Sequence, residues 1–424
     1  MQGPEKPKSA GRFGHIWDAP HKPLFLLSFV WALIAIMWWP LGVQFGLPAP
    51  AFEYPVLWHA HELIFGTVGA AVGGYLLTAL PSWTKQAPAG GTTLKIVVLL
   101  WVLARFATAI SGYLPPALTI ATNSGYFLWL AGYLFFQITR ARVFRKIGFC
   151  GALVALGLAD ALLLNAAMSR QPEVGLSIAR AAILVIAIMM TVIASRAIPA
   201  FTQNWLRRAG NKNISIPIAP ISRILALCCL GLALVLSLAQ RPYESGVALI
   251  GAAFLLLWNA RQWWLVSTLS NPLLVAMHLA YLWLPIGLAA MGLGRLFPGV
   301  YPEADAIHAI TIGAMSGLIM AIAGRAAALR QNGEMRAGKG FVFGTVAIWG
   351  TTWIRLAAPV FPAHSAEIVA LAAATWGTGW AVYIAGFARV LKTPAVRPVL
   401  SGGKFGVESE IVTQAESGGG DETR

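Results

Sequence analysis

Charge, and acid above all, is what this sequence has little of. Only 11% of the 424 residues are Asp, Glu, Lys or Arg, and 16 are acidic. A soluble domain carries about twice that share of charge, and a disordered chain is poor in large apolar residues, so both classes are excluded. Cysteine is scarcer still. The three present, Cys150, Cys228 and Cys229, show no Cys-x-x-Cys spacing, which excludes a disulfide-stapled scaffold and a cysteine cage for a metal. They are read as small buried hydrophobes. No long polar stretch separates the apolar runs, so no large soluble insertion is expected. No small-residue cleavage site follows a short apolar core near the start, and an uncleaved first helix is expected rather than a signal peptide.

What is abundant is apolar surface. Hydrophobic residues make up 58% of the chain, with 17 Trp and 20 Phe, and the mean hydropathy is +0.69. Runs long enough to cross a ~30 Å hydrocarbon core fall at 24–43, 57–80, 94–113, 118–138, 147–168, 174–201, 221–239, 245–266, 273–293, 304–329, 341–361 and 366–391. The spacing predicts an all-α, polytopic transmembrane bundle of about twelve helices. One helical membrane domain, 24–391, is expected between a tail at 1–23 and a polar, Gly-rich, disordered tail at 392–424. Proline punctuates the joints, as at Pro81, Pro115, Pro116, Pro172, Pro242, Pro272 and Pro362.

The formal net charge of +15 would suggest nucleic acid in a soluble protein. Its distribution says otherwise. Alternate connections hold nearly all the cations, from Lys6, Lys8, Arg12 and Lys22 in the first tail to Arg389, Lys392, Arg397 and Lys404 in the last. The opposite connections have Arg170, Arg241 and Arg295 beside Glu53, Glu173, Glu244, Glu303, Asp305 and Glu367. By the positive-inside rule both ends are expected in the cytoplasm. The expected partner is the lipid bilayer of a bacterial cytoplasmic membrane, not nucleic acid.

Against this background the ionisable groups inside apolar runs stand out, since each costs about 2.5–3.5 kcal/mol at the centre of a spanning helix. Trp58-His59-Ala60-His61-Glu62 opens the second run, and His308 opens the tenth. Residues two apart on an α-helix point about 200° apart. His59 and His61 therefore serve two centres on opposite sides of their helix, or one binds metal while the other packs. Glu62, three after His59, shares its face, as a ligand or as an acceptor orienting the imidazole. Asp305 has the same relation to His308. His278 enters the ninth run from the opposite end; it either binds a separate cofactor or hydrogen-bonds across helices. His15 and His21 are expected to be solvated, and His364 to be an interfacial anchor. Asp160 is expected to pair with Arg105 or Arg355. Gly69-x-x-x-Gly73 and Gly313-x-x-x-Gly317 suggest that the second and tenth helices touch.

The chain resembles the NnrS family. The similarity is carried by Trp58-His59-Ala60-His61-Glu62-Leu63-Ile64-Phe65-Gly66 and the continuation Gly74 to Thr84, by Arg196-Ala197-Ile198-Pro199-Ala200-Phe201-Thr202-Gln203-Asn204, by the His278 to Pro285 segment, and by His308 to Gly313. The resemblance implies a bacterial inner-membrane protein with haem b and copper, linked to nitric oxide and to tolerance of nitrosative stress. It assigns cofactor binding to His59, His61, His278 and His308, with Arg196 and Arg325 suited to haem propionates. Metal ligation falls to His59, His61, His308 and Glu62. One departure is visible: where the family commonly has Gly-His-Thr-Gly-Arg, this chain has Leu329-Arg330-Gln331-Asn332-Gly333. Arg330 occupies the place of that histidine, so any site it serves in the family is lost or rearranged here.

Two other classes share the pattern. A haem–copper nitric oxide reductase or oxidase analogue would need more in-membrane histidines than the five present. A proton-coupled secondary transporter would use Asp160, but no repeat relates the two halves.

Overall fold

The computed structural model describes residues 15–44, 46, 50–211, 213–216, 221–263, 265–331, 334–395 and 399. Most of both tails, and with it the expected C-terminal disorder, lies outside them, as do Asn332 and Gly333.

The apolar runs fold as helices because every backbone polar group must be satisfied within the segment where no water is at hand. They are α1 (His21–Gln44), α2 (Pro55–His61), α3 (Gly69–Thr84), α4 (Gly91–Ala109), α5 (Pro116–Arg140), α6 (Gly148–Met168), α7 (Pro172–Arg208), α8 (Ile221–Leu238), α9 (Pro242–Ala260), α10 (Pro272–Leu296), α11 (Glu303–His308), α12 (Gly317–Ala326), α13 (Lys339–Ala357) and α14 (Ser365–Phe387). A hairpin of β1 (Leu329–Gln331) and β2 (Glu334–Arg336) joins α12 to α13, and Arg330 pairs in it with Met335. The prolines at the joints start helices: Pro116, Pro172, Pro242 and Pro272 all lie in first turns, where a missing N–H costs nothing and φ is already helical. Pro81 differs from expectation and sits inside α3, which closes four residues later on left-handed Lys85 (φ 57°).

Among the described residues, eleven helical stretches are long and apolar enough to cross a membrane. The twelfth expected helix, α5, is 25 residues long but less apolar, because Thr119, Asn123 and Ser124 interrupt it. All three are buried in the bundle, so the polar cost is turned inward. The architecture is the expected multi-pass helical bundle.

From α4 to α10 each helix packs against the next, α13 packs against α14, and α14 closes the bundle against α1. That seam is aromatic: Phe29 meets Trp380, Tyr383 and Phe387 at 5.4, 5.0 and 5.1 Å between ring centroids. Trp376 Nε1 donates to Ala32 O (2.9 Å) and Tyr383 Oη to Met320 O (2.7 Å), tying α14 to α1 and α12. Lys22 Nζ donates to His15 O (2.9 Å) and Thr393 O (2.5 Å). His21, expected in solvent, is buried at the start of α1, because the returning end of α14 roofs that turn.

The two histidine-bearing stretches are the innermost. Of the most apolar window in Pro55–Thr84, 78% is inside the bundle, and 72% in Glu303–Ala326, against 17% for α8. Both leave α-geometry directly after a histidine. A π-helical segment, Glu62–Val68, joins α2 to α3, and another, Ala309–Ser316, joins α11 to α12. Such wide turns give up packing and occur often at functional sites.

The glycine pairs mark different contacts from those expected. A Cβ on Gly69 would lie 2.9 Å from Phe127 Cζ, and one on Gly73 would press on Tyr126 Oη; this is the face that receives α5, whose Tyr126 donates to Gly69 O (3.0 Å). A Cβ on Gly317 would lie 2.8 Å from Ala280 Cβ, and one on Gly313 2.8 Å from Trp283 Cβ, both on α10. The two histidine helices instead face one another across a narrow apolar crevice of about 70 Å³, which Val68, Val72, Met315 and Ile319 help to line.

Candidate functional site

The prediction that His59 and His61 point to opposite sides of α2 holds, and the two sides differ chemically. His61 is fully buried. Its Nε2 lies 2.7 Å from Asp160 Oδ1 on α6, and its Nδ1 lies 2.8 Å from Glu62 Oε1. Glu62 is also fully buried; Arg105 Nη1 on α4 donates to its Oε1 (2.8 Å) and Trp31 Nε1 on α1 to its Oε2 (2.6 Å). Arg105 Nη2 continues to Asn123 Oδ1 (2.6 Å), which also accepts from Thr108 Oγ1 (3.2 Å). Asn123 Nδ2 donates to Thr119 O (2.8 Å). Charged and polar groups of five helices thus close a chain inside the bundle.

This network corrects two expected pairings. Asp160 meets His61 rather than Arg105 or Arg355, and Glu62 meets His61, Arg105 and Trp31 rather than sharing work with His59. The second has a physical reason: Glu62 begins the π-helical segment and its carboxylate is drawn to the one arginine buried beside it.

On the other side of α2, His59 is half-buried and within electrostatic reach of His308 and Arg355. His308 is also half-buried. Its Nδ1 lies 3.3 Å from the Asp305 carbonyl; a carbonyl only accepts, so Nδ1 carries the hydrogen and the lone pair is on Nε2, the tautomer a ligating imidazole needs. The Asp305 carboxylate accepts from Arg355 Nη1 (2.6 Å). Asp305 therefore orients His308 through its backbone and holds Arg355 with its side chain. Tyr301 Oη donates to Leu356 O (2.7 Å) and fastens the turn before α11 to α13. Burial and the Asp305 carboxylate push that phenol up, with Arg355 opposing, so it remains a donor. The sequence placed His308 near the pair; in the structure it is His59, on the side of α2 away from the ion network, that lies within electrostatic reach of it.

A second group forms toward the far end of α7. His278, buried on α10, lies with Nε2 2.9 Å from Thr202 Oγ1 on α7, and its ring stands edge-on to Trp263 at 6.2 Å. His278 thus makes the hydrogen bond across helices that was one of its two expected roles. Arg325 of α12 stacks over the Phe201 ring at 3.9 Å, so the Arg196–Asn204 motif meets both the His278 and Arg325 segments. Arg196 itself is exposed: α7 has 37 residues, about 55 Å at 1.5 Å per residue, and outruns the hydrocarbon core. Thr202→Val is expected to cost about 0.5–1.5 kcal/mol, the range of interhelical hydrogen bonds in membranes. A melting curve of the detergent-solubilised variant checks it.

His364 is exposed beside Glu367 (3.9 Å), as expected of an anchor. The cysteines are free, with Cys150 buried, Cys229 half-buried and Cys228 exposed. The side chain of Arg330 lies outside the described residues.

Among the described residues no three His, Cys, Asp or Glu side chains converge as a closed metal cage. His59 and His308 are within electrostatic reach of one another across α2 and α11, and imidazole is a donor type that suits transition metals such as copper. The fold and this site define a multi-pass helical membrane protein with a buried ion network on one side of α2 and an imidazole pair on the other. A family model described as NnrS protein matches residues 15–394, and the chain belongs to that family. No curated protein matches it.

Proposed function

We propose that this chain is a metal-bearing protein of the bacterial cytoplasmic membrane, with both ends in the cytoplasm, that serves tolerance of nitric oxide and binds copper between His59 and His308. The observation that carries the metal assignment is that two imidazoles far apart in sequence come within electrostatic reach of one another, His308 as the last residue of α11 and His59 two residues before the end of α2, each helix running on into a π-helical segment. The role in nitric oxide tolerance draws its support from the resemblance to the family. The orientation draws support from the acid-bearing face, where each cation expected there has an acid partner: Arg170 with Glu53 (2.8 Å), Arg295 with Glu303 (2.8 Å), and Arg241 with Glu244. Arg355 is likewise held by Asp305 (2.6 Å) and Arg180 lies 3.8 Å from Glu303, so that face carries little net positive charge. Haem b, the second cofactor the resemblance implies, needs a cleft with an axial imidazole. The crevices of about 70 and about 340 Å³ beside these helices have no histidine on their walls, so haem is assigned to no residue.

The functional test is growth of a deletion strain under a nitric oxide donor, complemented by wild type, His59→Ala or His308→Ala. Wild type restores growth and each variant does not. Full complementation by both variants would remove the imidazole pair from the function, and a deletion strain that tolerates the donor as well as its parent would remove the function itself.

A further inference from the structure

We infer that His61 is no metal ligand but a positioning residue, the centre of a buried charge clamp that holds α2 in the rotation at which His59 faces His308. The inference rests, for its consequence at the metal, on His59 and His308 being the ligands.

Both ring nitrogens of His61 are engaged, Nε2 by Asp160 Oδ1 at 2.7 Å and Nδ1 by Glu62 Oε1 at 2.8 Å. The two nitrogens lie on different edges of the ring, so these carboxylates cannot meet the imidazole at a common ion. A metal on His61 would have to displace one of them, leaving a fully buried carboxylate without its partner. That substitution is severe for Asp160, which is wholly buried and has no hydrogen-bond partner for its Oδ2 among the described residues. Among the described residues, His61 is the side chain that hydrogen-bonds it.

The clamp grips from four directions. Asp160 brings in α6, Arg105 brings in α4, Trp31 brings in α1, and Asn123 carries the chain on to α5. It grips at the last α-helical residue, His61, and the first π-helical one, Glu62, where the change of helical winding would otherwise leave the rotation of α2 loosely defined. Because His59 stands about 200° around the helix from His61, fixing one ring toward Asp160 fixes the other toward α11. A buried ion chain that specifies one arrangement rather than adding stability is a recognised use of such groups. The His-x-His of this chain thus divides into a ligand and an anchor.

The test is a double-mutant cycle on the purified full-length protein, with His61→Gln, Asp160→Asn and the double variant, read by thermal midpoint and by the electron paramagnetic resonance of added Cu(II). Each single variant leaves a buried group without its partner, and a drop of several degrees is expected. The double variant is expected to fall by clearly less than the sum, since coupling of this kind marks residues in one network. Each single variant is expected to weaken Cu(II) binding, because α2 is then held less firmly in its rotation, while the double variant, whose two side-chain amides can hydrogen-bond to one another, is expected to keep the wild-type stoichiometry and nitrogen hyperfine pattern; single variants that bind Cu(II) as wild type does would overturn the positioning role. Additive losses would overturn the clamp, and one nitrogen fewer in the double variant would make His61 a ligand. Where a single variant fails to accumulate, Glu62→Gln and Arg105→Gln run the same cycle on the other arm. A wild type that binds no Cu(II) would refute the copper assignment, and the thermal cycle alone would still decide the clamp.

Discussion

Glu62→Ala is expected to destabilise the protein by about 3–5 kcal/mol, the cost of removing one partner from a buried ion pair. The carboxylate receives Arg105 Nη1 at 2.8 Å and Trp31 Nε1 at 2.6 Å and lies 2.8 Å from His61 Nδ1. Its removal strands a guanidinium that is 4% exposed, too deep to turn to water. Arg105→Leu with Glu62→Ala removes both charges and should recover a good part of the loss. Thermal melts followed by tryptophan fluorescence measure both, and equal melting of Glu62→Ala and wild type would show that the pair is not formed in the membrane-extracted protein.

Gly313→Val is the second large effect. The first side-chain atom added there would stand 2.8 Å from Trp283 Cβ and closer still to the ring, and Trp283 is itself held edge-on against Trp353 at 4.9 Å. With no rotamer to retreat to, α10 and the π-helical segment must move apart, an overpacking cost of about 1–3 kcal/mol. The displacement is carried five residues back to His308, so the variant is also expected to bind Cu(II) more weakly than wild type. Gly350→Ala, with nothing within 4 Å of the added carbon, is the control. Unchanged melting and copper affinity in Gly313→Val would show that this contact does not set the position of His308.

Much of this was legible in the sequence because bilayers impose length and polarity on each segment. The apolar runs gave the helices to within a few residues, and the two-residue spacing of His59 and His61 gave their opposed directions from helix geometry alone. The partners were not legible. Nothing local ties Asp160 to His61 across 99 positions, and Glu62 reads as a neighbour of His59 until the π-helical segment is known, since that change of winding has no reliable sequence signal. Asn123 and Thr119, in an otherwise apolar stretch, were a usable sign that α5 turns a polar stripe inward. The glycine pairs told correctly that helices touch there, but a small residue does not name its neighbour; the larger rings of Phe127 and Trp283 do. His278 and Thr202 share no sequence pattern, only the crossing of α7 and α10.

The proposed copper ion lies between His59 and His308. Metal analysis with visible and paramagnetic spectra of purified wild type, His59→Ala, His308→Ala and the clamp double variant His61→Gln/Asp160→Asn tests it most directly. Copper is expected in the wild type and in the double variant, and is expected to be lost from both ligand variants. Copper retained by His59→Ala and His308→Ala, or lost only when His61 is changed, would contradict it.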